Sequence, residues 1–321
     1  MSEMLLEVKN LKTYFTTSKG EAKAVDDVSF NLEQGECLGL VGESGCGKTT
    51  TALSICQMLP KEGRIAGGEI YLDGVNYADM SEKEINKHRW EDVSIIFQGA
   101  MNAFNPVKKV GWQIAEACML HDGLKKDEAW KKAGDLFELV GIPRERVTQY
   151  PHEFSGGMKQ RAMIAMALAC SPKLIIGDEP TTALDVMIQA QILELLEKLR
   201  RELNMGMILI THDLSILGET CDRIAVMYAG KIMEIGDVRD IFEDPRHPYT
   251  KKLISCFPDV RGERVVPDGI PGYPPSLIDP PEGCRFCPRC EFATEACSAS
   301  CPELVQVGEK HFVACHNLEE V

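Results

Sequence analysis

What the chain lacks narrows it first. No apolar run approaches the roughly 20 residues that carry a helix across a bilayer. The opening MSEMLLEV has neither the basic start nor the long apolar stretch of a secretory signal. Positive charge is in deficit: the formal net charge is −14, which argues against a broad nucleic-acid-binding surface. No internal repeat is visible. Over most of its length the chain has only scattered cysteines, but six of the thirteen (Cys284, Cys287, Cys290, Cys297, Cys301 and Cys315) fall in the last 38 residues. Under reducing conditions such a cluster favours metal binding over disulfides. The other seven read as small buried hydrophobes. Cys46 stands apart: a helix N-terminus beside it would lower its thiol pKa and make it reactive, but a small residue tolerated in the loop is the plainer reading. These absences predict a cytosolic protein, with 321 residues enough for one large or two modest domains.

What is present centres on Glu36 to Leu59. The apolar run Cys37 to Val41 predicts a buried strand, GESGCGKT (Gly42 to Thr49) a loop, and the segment carrying Leu53, Cys56 and Leu59 a helix. Strand, G-x-x-x-x-G-K-[ST] and helix in that order define a phosphate-binding loop, where the bare pattern would leave a glycine-rich turn open. Gly42, Gly45 and Gly47 let backbone N–H groups turn inward, and the helix N-terminus adds positive potential. Ser44, Cys46 and Thr50 complete the loop and helix start. Lys48 reaches the β- and γ-phosphates of a nucleoside triphosphate, and the Thr49 hydroxyl serves magnesium.

Residues 4–15 and 22–32 alternate apolar and polar positions, as half-buried antiparallel strands do. GGEIYLDG and DVSIIFQ (Asp92 to Gln98) add further strands. From about Phe104 to Cys170 the pattern turns helical. Trp130, Ala133, Phe137 and Val140 lie on one face of a helix closed by Gly141 and Pro143. KLIIGDEP and MGMILITHD read as buried strands, and the helix between them puts Ile188, Ile192, Leu195, Leu199 and Leu203 on one side. Arg223 to Met227 and Lys231 to Ile235 form two short alternating segments. Residues 257–283 are rich in proline and glycine and predict an extended linker before the cysteine-rich module. Strands alternating with helices imply a parallel sheet covered on both faces.

Asp178 and Glu179 leave an apolar strand about 130 residues after Lys48. That suits a magnesium-associated aspartate followed by a glutamate that polarises water, where the pair alone would read as a turn or cap. Gln98 and His212 sit at strand exits, where they could reach magnesium, water or the γ-phosphate; as isolated residues they would be solvated polar caps. FSGGM (Phe154 to Met158) ahead of a helix makes a second anion-binding terminus that one nucleotide does not need. This predicts a head-to-tail dimer in which each half completes the other's site.

In this order, GESGCGKT, Gln98, FSGGM, LIIGDE, TALD (Thr182 to Asp185) and His212 resemble the ATPase subunits of ABC transporters over roughly residues 4–240. HPYTKKL, VMYAGKIMEIG and PPSLIDPPEGCRFCPRC with its later ACH narrow the resemblance to the oligopeptide/dipeptide permease group. The implied fold is an α/β ABC-type P-loop ATPase. It has a RecA-like core, an antiparallel β subdomain, a helical signature subdomain (about 104–170) and a small cysteine-rich extension. Residues 1–256 would form the nucleotide-binding domain and 257–321 the linker and extension. The implied activity is ATP hydrolysis powering import of di- or oligopeptides. Nickel or another small solute, or an iron–sulfur-assembly ATPase, are the alternatives.

By resemblance, Phe15 stacks on adenine, with Tyr14 as its substitute. Lys48 grips phosphate, while Thr49, Gln98 and Asp178 serve magnesium. Glu179 is the general base and His212 contacts the γ-phosphate. Ser155 and Gly157 bind the partner subunit's ATP, and Asp185 sits at the dimer seam. Met158 departs from the superfamily's Gln, and that Met-ending signature resembles subunits that work with a paralogous ATPase rather than a second copy. Cys284, Cys290, Cys297 and Cys315 match a [4Fe–4S] quartet, with Cys287 the basis of a zinc alternative and metal-free reduced thiols the third. The implied partners are two transmembrane permease subunits, a second ABC ATPase and, indirectly, a substrate-binding protein. The implied place is the cytoplasmic face of the membrane, with no nucleic acid involved.

Overall fold

The computed structural model describes residues 3–99, 103–256 and 269–318. The chain opens with a long hairpin, β1 (Met4–Thr17) and β2 (Gly20–Glu33), antiparallel as the alternation predicts. β3 (Cys37–Val41) then leads through the glycine loop into α1 (Lys48–Ile55). β4 (Gly63–Leu72) and β5 (Val75–Asn76) complete a four-stranded antiparallel sheet in the order β2-β1-β4-β5.

After the short α2 (Glu82–Ile85) comes β6 (Val93–Ile96), and then the helical segment: α3 (Val110–Leu120), α4 (Lys126–Leu139) and α5 (Gly156–Ala167). α4 ends at Gly141, whose φ is +74°. β7 (Leu174–Asp178), α6 (Val186–Leu203), β8 (Gly206–Ile210), α7 (Leu214–Thr220), β9 (Arg223–Tyr228) and β10 (Lys231–Asp237) follow. α8 (Val238–Glu243), α9 (Pro248–Ser255), α10 (Glu295–Ala299), β11 (Val305–Gln306) and β12 (Phe312–Val313) close the described chain.

The main sheet runs β11-β12-β10-β9-β3-β8-β7-β6, parallel from β9 to β6 and antiparallel beyond β9. Its central strands are continuous apolar runs because both faces are covered. Leu38, Leu40, Ile176, Ile208 and Ile210 pack with α1 and the antiparallel sheet. Cys37, Val41, Ile175, Met207 and Leu209 pack with the helices on the other side. All parallel strands therefore end near one edge, the place where open α/β sheets hold ligands.

Three expectations shift in detail. α1 buries Thr51, Ala52, Ser54 and Ile55, whereas Leu53 is only half-buried and Leu59 lies past the helix end. On α6 the buried stripe is Ile192, Leu196 and Leu199, joined by the aliphatic stem of Arg200, while Leu203 is exposed. β9 is buried along its whole length rather than alternating. Residues 269–283 contain no helix or strand, as a linker should, and residues 257–268 lie outside the described residues. The extension beyond them adds β11 and β12 to the main sheet alongside β10.

Candidate active site

The glycine loop is shaped by what crowds it. Gly42 and Gly47 adopt φ of +150° and +110°, a region that favours glycine. A Cβ on Gly42 would lie 2.0 Å from the Met227 carbonyl oxygen, and one on Gly47 would lie 2.4 Å from that of Ala24. The loop is thus pressed against β9 and β2. Lys48 is buried, and its Nζ donates to the carbonyl oxygens of Gly42 (2.7 Å) and Glu43 (3.1 Å). A cleft of about 440 Å³ opens here, lined by Gly42, Ser44, Gly45, Cys46, Gly47, Lys48, Thr49, Thr50, Gln98, Glu179 and His212. The phosphate loop, Gln98, Glu179 and His212 therefore meet in one place.

Asp178 stands behind Thr49, whose hydroxyl donates to Asp178 Oδ1 at 3.1 Å. Burial, with the neighbouring Glu179 charge, pushes the Asp178 carboxyl up, against the Thr49 hydrogen bond and Lys48. Raised above its unfolded value, this carboxyl favours folding most at low pH, and that contribution is lost as pH rises through the shifted value. Above the shifted value the ionised group is a burden that a divalent cation would relieve. Asp178→Asn should raise the melting temperature of the nucleotide-free chain at pH 8 by about 2 °C or more, with a smaller gain at pH 5. Thermal melts at the two pH values decide it; a variant that melts lower at pH 8 contradicts the assignment.

Glu179 is the point on which the other polar groups converge. The Gln98 amide donates to its Oε2 at 2.6 Å, the Thr182 hydroxyl to the same oxygen at 2.9 Å, and His212 Nδ1 lies 3.4 Å from Oε1. Its backbone is in the left-handed region (φ +48°), an uncommon conformation for a residue with a side chain. Thr182 was not singled out from sequence as a partner of Glu179. Its signal is the three-residue offset across the turn after Pro180, closed by Thr182 N–H to the Glu179 carbonyl at 3.2 Å.

Other expected residues lie elsewhere. Phe15 shares a face of β1 with Thr13 and packs over Gly63, where an added Cβ would lie 2.8 Å from its ring. The Tyr14 hydroxyl is committed to Asp26 at 2.7 Å, and burial pushes it up to about 12. Ser155 caps α5, accepting from the Met158 N–H, and Gly157 approaches Ile188 on α6 so closely that a Cβ would sit 2.8 Å from it. Neither lines the Lys48 cleft. Cys46 is the small residue accommodated in the loop and not a reactive one: its thiol is buried, and burial raises its pKa.

The cysteine-rich end also departs from expectation. Cys284, Cys290, Cys297 and Cys315 do line one cavity, together with Cys287 and His316, but it is only about 10 Å³. Among the described residues no three His, Cys, Asp or Glu side chains are placed to hold a metal ion. Burial pushes the Cys284 thiol up to about 12 and raises those of Cys290 and Cys315. The quartet is thus brought to one cavity, but not already spaced around an ion.

The parallel sheet, the phosphate loop at its edge and the acid at the end of β7, one strand removed from β3, define a P-loop nucleoside triphosphatase of the ATP-binding-cassette type. The family model for the ABC transporter matches residues 25–182, and that for the oligopeptide/dipeptide transporter C-terminal region matches residues 233–297. The chain is 47% identical to a probable peptide ABC transporter ATP-binding protein of Sinorhizobium fredii, covering 100% of this chain and 97% of that one. It is 48% identical to the oligopeptide transport ATP-binding protein OppD of Escherichia coli, over 94% and 90% of the two chains. Among solved structures, the ATP-binding cassette MJ0796, in a dimeric post-hydrolysis state with ADP and Pi, superposes with a TM-score of 0.65. It shares 26% identity over 73% of this chain and 99% of that one. This chain belongs to the ABC transporter ATP-binding proteins, in the group carrying the oligopeptide/dipeptide C-terminal region, and is an ABC ATPase.

Proposed function

We propose that this chain is the ATP-hydrolysing subunit that powers import of di- or oligopeptides through a membrane ABC transporter. What carries the proposal is the near-full-length similarity to proteins named for peptide transport, joined to a cleft in which Lys48 and Glu179 face one space. In it, Lys48 and the loop N–H groups hold the phosphates of ATP, and Phe15, outside the cleft on β1, stacks on the adenine. Thr49, Gln98 and Asp178 serve magnesium, which when bound offsets charge on the phosphates. Glu179 accepts a proton from the attacking water; Gln98, Thr182 and His212 hold its carboxylate in place. Ser155 and Gly157 face a second ABC ATPase, a paralogue rather than a second copy, whose ATP they would complete.

Closure of that pair moves two permease subunits from the cytoplasmic face. The contact is an apolar groove of about 470 Å³ beside the cleft, lined by Trp90, Phe97, Gln98, Met163 and Met166 among others. Because Gln98 lines both spaces, a permease segment in the groove and the nucleotide bias the same residue. No helix among the described residues is long and apolar enough to cross a membrane, so the permeation path belongs to the partners.

For the extension, Cys284, Cys290, Cys297 and Cys315 are the set that would hold an iron–sulfur group, and their sharing one cavity supports them; a zinc site would draw in Cys287. Such a group would staple a module too small for a core of its own. Iron, sulfide and zinc analysis after anaerobic purification tests it: about four irons per chain support the cluster, and metal-free protein removes it. Transport itself is tested in cells lacking this chain. Uptake of labelled di- or oligopeptide should be lost, restored by the wild-type chain and not by Glu179→Gln. Loss of nickel uptake with peptide uptake intact would overturn the substrate class.

A further inference from the structure

The His-Pro-Tyr segment and the C-terminal extension reach the phosphate loop directly, at its one acidic residue. Glu43, the second residue of the loop, is gripped from two sides. Its N–H donates to the Tyr249 hydroxyl at 3.0 Å, and its carboxylate takes a 2.9 Å hydrogen bond from Arg289 Nη1. Neither partner is free to wander. Tyr249 is fully buried, its ring 4.7 Å from that of Tyr228 and 5.3 Å from that of Phe286. The Arg289 side chain is 6% exposed. Its guanidinium also donates to the Tyr228 hydroxyl (3.0 Å) and to the carbonyl oxygens of Pro271 (2.7 Å) and Ile270 (3.1 Å). A second arginine of the extension, Arg285, pairs with Asp26 and donates to the Ala229 carbonyl, tying the same segment to β2 and to the β9–β10 turn.

A carboxylate within an anion-binding loop works against polyphosphate by direct repulsion. An arginine held rigidly by four acceptors both offsets that charge and draws the carboxylate toward the extension, away from the loop's inward N–H groups. We propose that the extension is a clamp on the phosphate loop, with Arg289 and Tyr249 as positioning residues for ATP binding that act through Glu43. This rests on Gly42 to Thr49 being the ATP phosphate site. The extension is then a determinant of nucleotide affinity as well as an appendage of the fold.

The test is ATP affinity of the full-length chain, measured by equilibrium titration with magnesium present, for wild type, Arg289→Ala, Arg289→Lys and the double variant Glu43→Gln with Arg289→Ala. Arg289→Ala should weaken ATP binding about tenfold, since it leaves a partly buried carboxylate unpaired beside the phosphates. Arg289→Lys, which keeps the charge, should recover most of the loss. The double variant should recover it as well, because the repelling charge is gone; a merely structural role for Arg289 would not produce that rescue. Wild-type affinity in Arg289→Ala, or a double variant as weak as the single one, overturns the clamp. Should Arg289→Ala fail to fold, Arg289→Gln takes its place with the same expected loss and rescue. Lys48→Ala separates the underlying premise: if it binds ATP as tightly as wild type, the loop is not the phosphate site, whatever the Arg289 variants do.

Discussion

Replacing Glu179 with glutamine should leave ATP binding nearly unchanged and lower the rate of hydrolysis by about 10²- to 10⁴-fold. The amide is isosteric and can still meet Gln98, Thr182 and His212, which contact the wild-type carboxylate at 2.6, 2.9 and 3.4 Å. What it loses is the capacity to accept a proton from water. Because the side-chain contacts survive, the chain should fold and the loss should fall on turnover alone. Phosphate release under saturating magnesium and ATP, beside a binding titration, separates the two effects. Hydrolysis within tenfold of wild type would remove Glu179 as the base.

The second large effect is expected from one methyl group. Gly42→Ala places a Cβ 2.0 Å from the Met227 carbonyl oxygen and 2.8 Å from the Cys46 sulfur, at a φ of +150° that alanine rarely adopts. Met227 is backbone on the fully buried strand β9, so neither side can yield cheaply. Strain and displacement together should destabilise the chain by on the order of 3 kcal/mol. Nucleotide binding should vanish, because the N–H groups that face phosphate are carried by the displaced loop. Gly45→Ala is the contrast: its φ is +78°, but no atom lies within 4 Å of an added Cβ, so the strain is conformational only. It should fold and retain measurable binding. Equal loss in both variants would show that conformation, not crowding, decides the Gly42 result.

Much of this was legible in the chain itself. The phosphate loop could be read because its chemistry is local: strand, glycines, lysine and helix follow one another within a single stretch, and each residue type is demanded by a neighbour in sequence. The buried strands were legible because a sheet covered on both faces needs unbroken apolar runs. Finer placement was not. The buried stripe of α6 runs through Leu196 and Arg200 instead of Leu195 and Leu203, since packing, not periodicity alone, selects the face. β9 is buried throughout, although its residues read as alternating.

The sequence by itself therefore determined the fold class, the loop, and the acid and polar residues around it, because these depend on local backbone demands and on short-range patterning. Tertiary structure alone decided three things. It brought Gln98 and His212, from two separate segments, onto one carboxylate. It buried Cys46, so that burial overrode the helix terminus and raised the thiol's pKa. And it set Arg289 against Glu43, 246 positions apart in the chain. Pairings across such distances leave no periodic trace in a sequence. They exist only when the closed sheet and its extension bring the groups within hydrogen-bond reach.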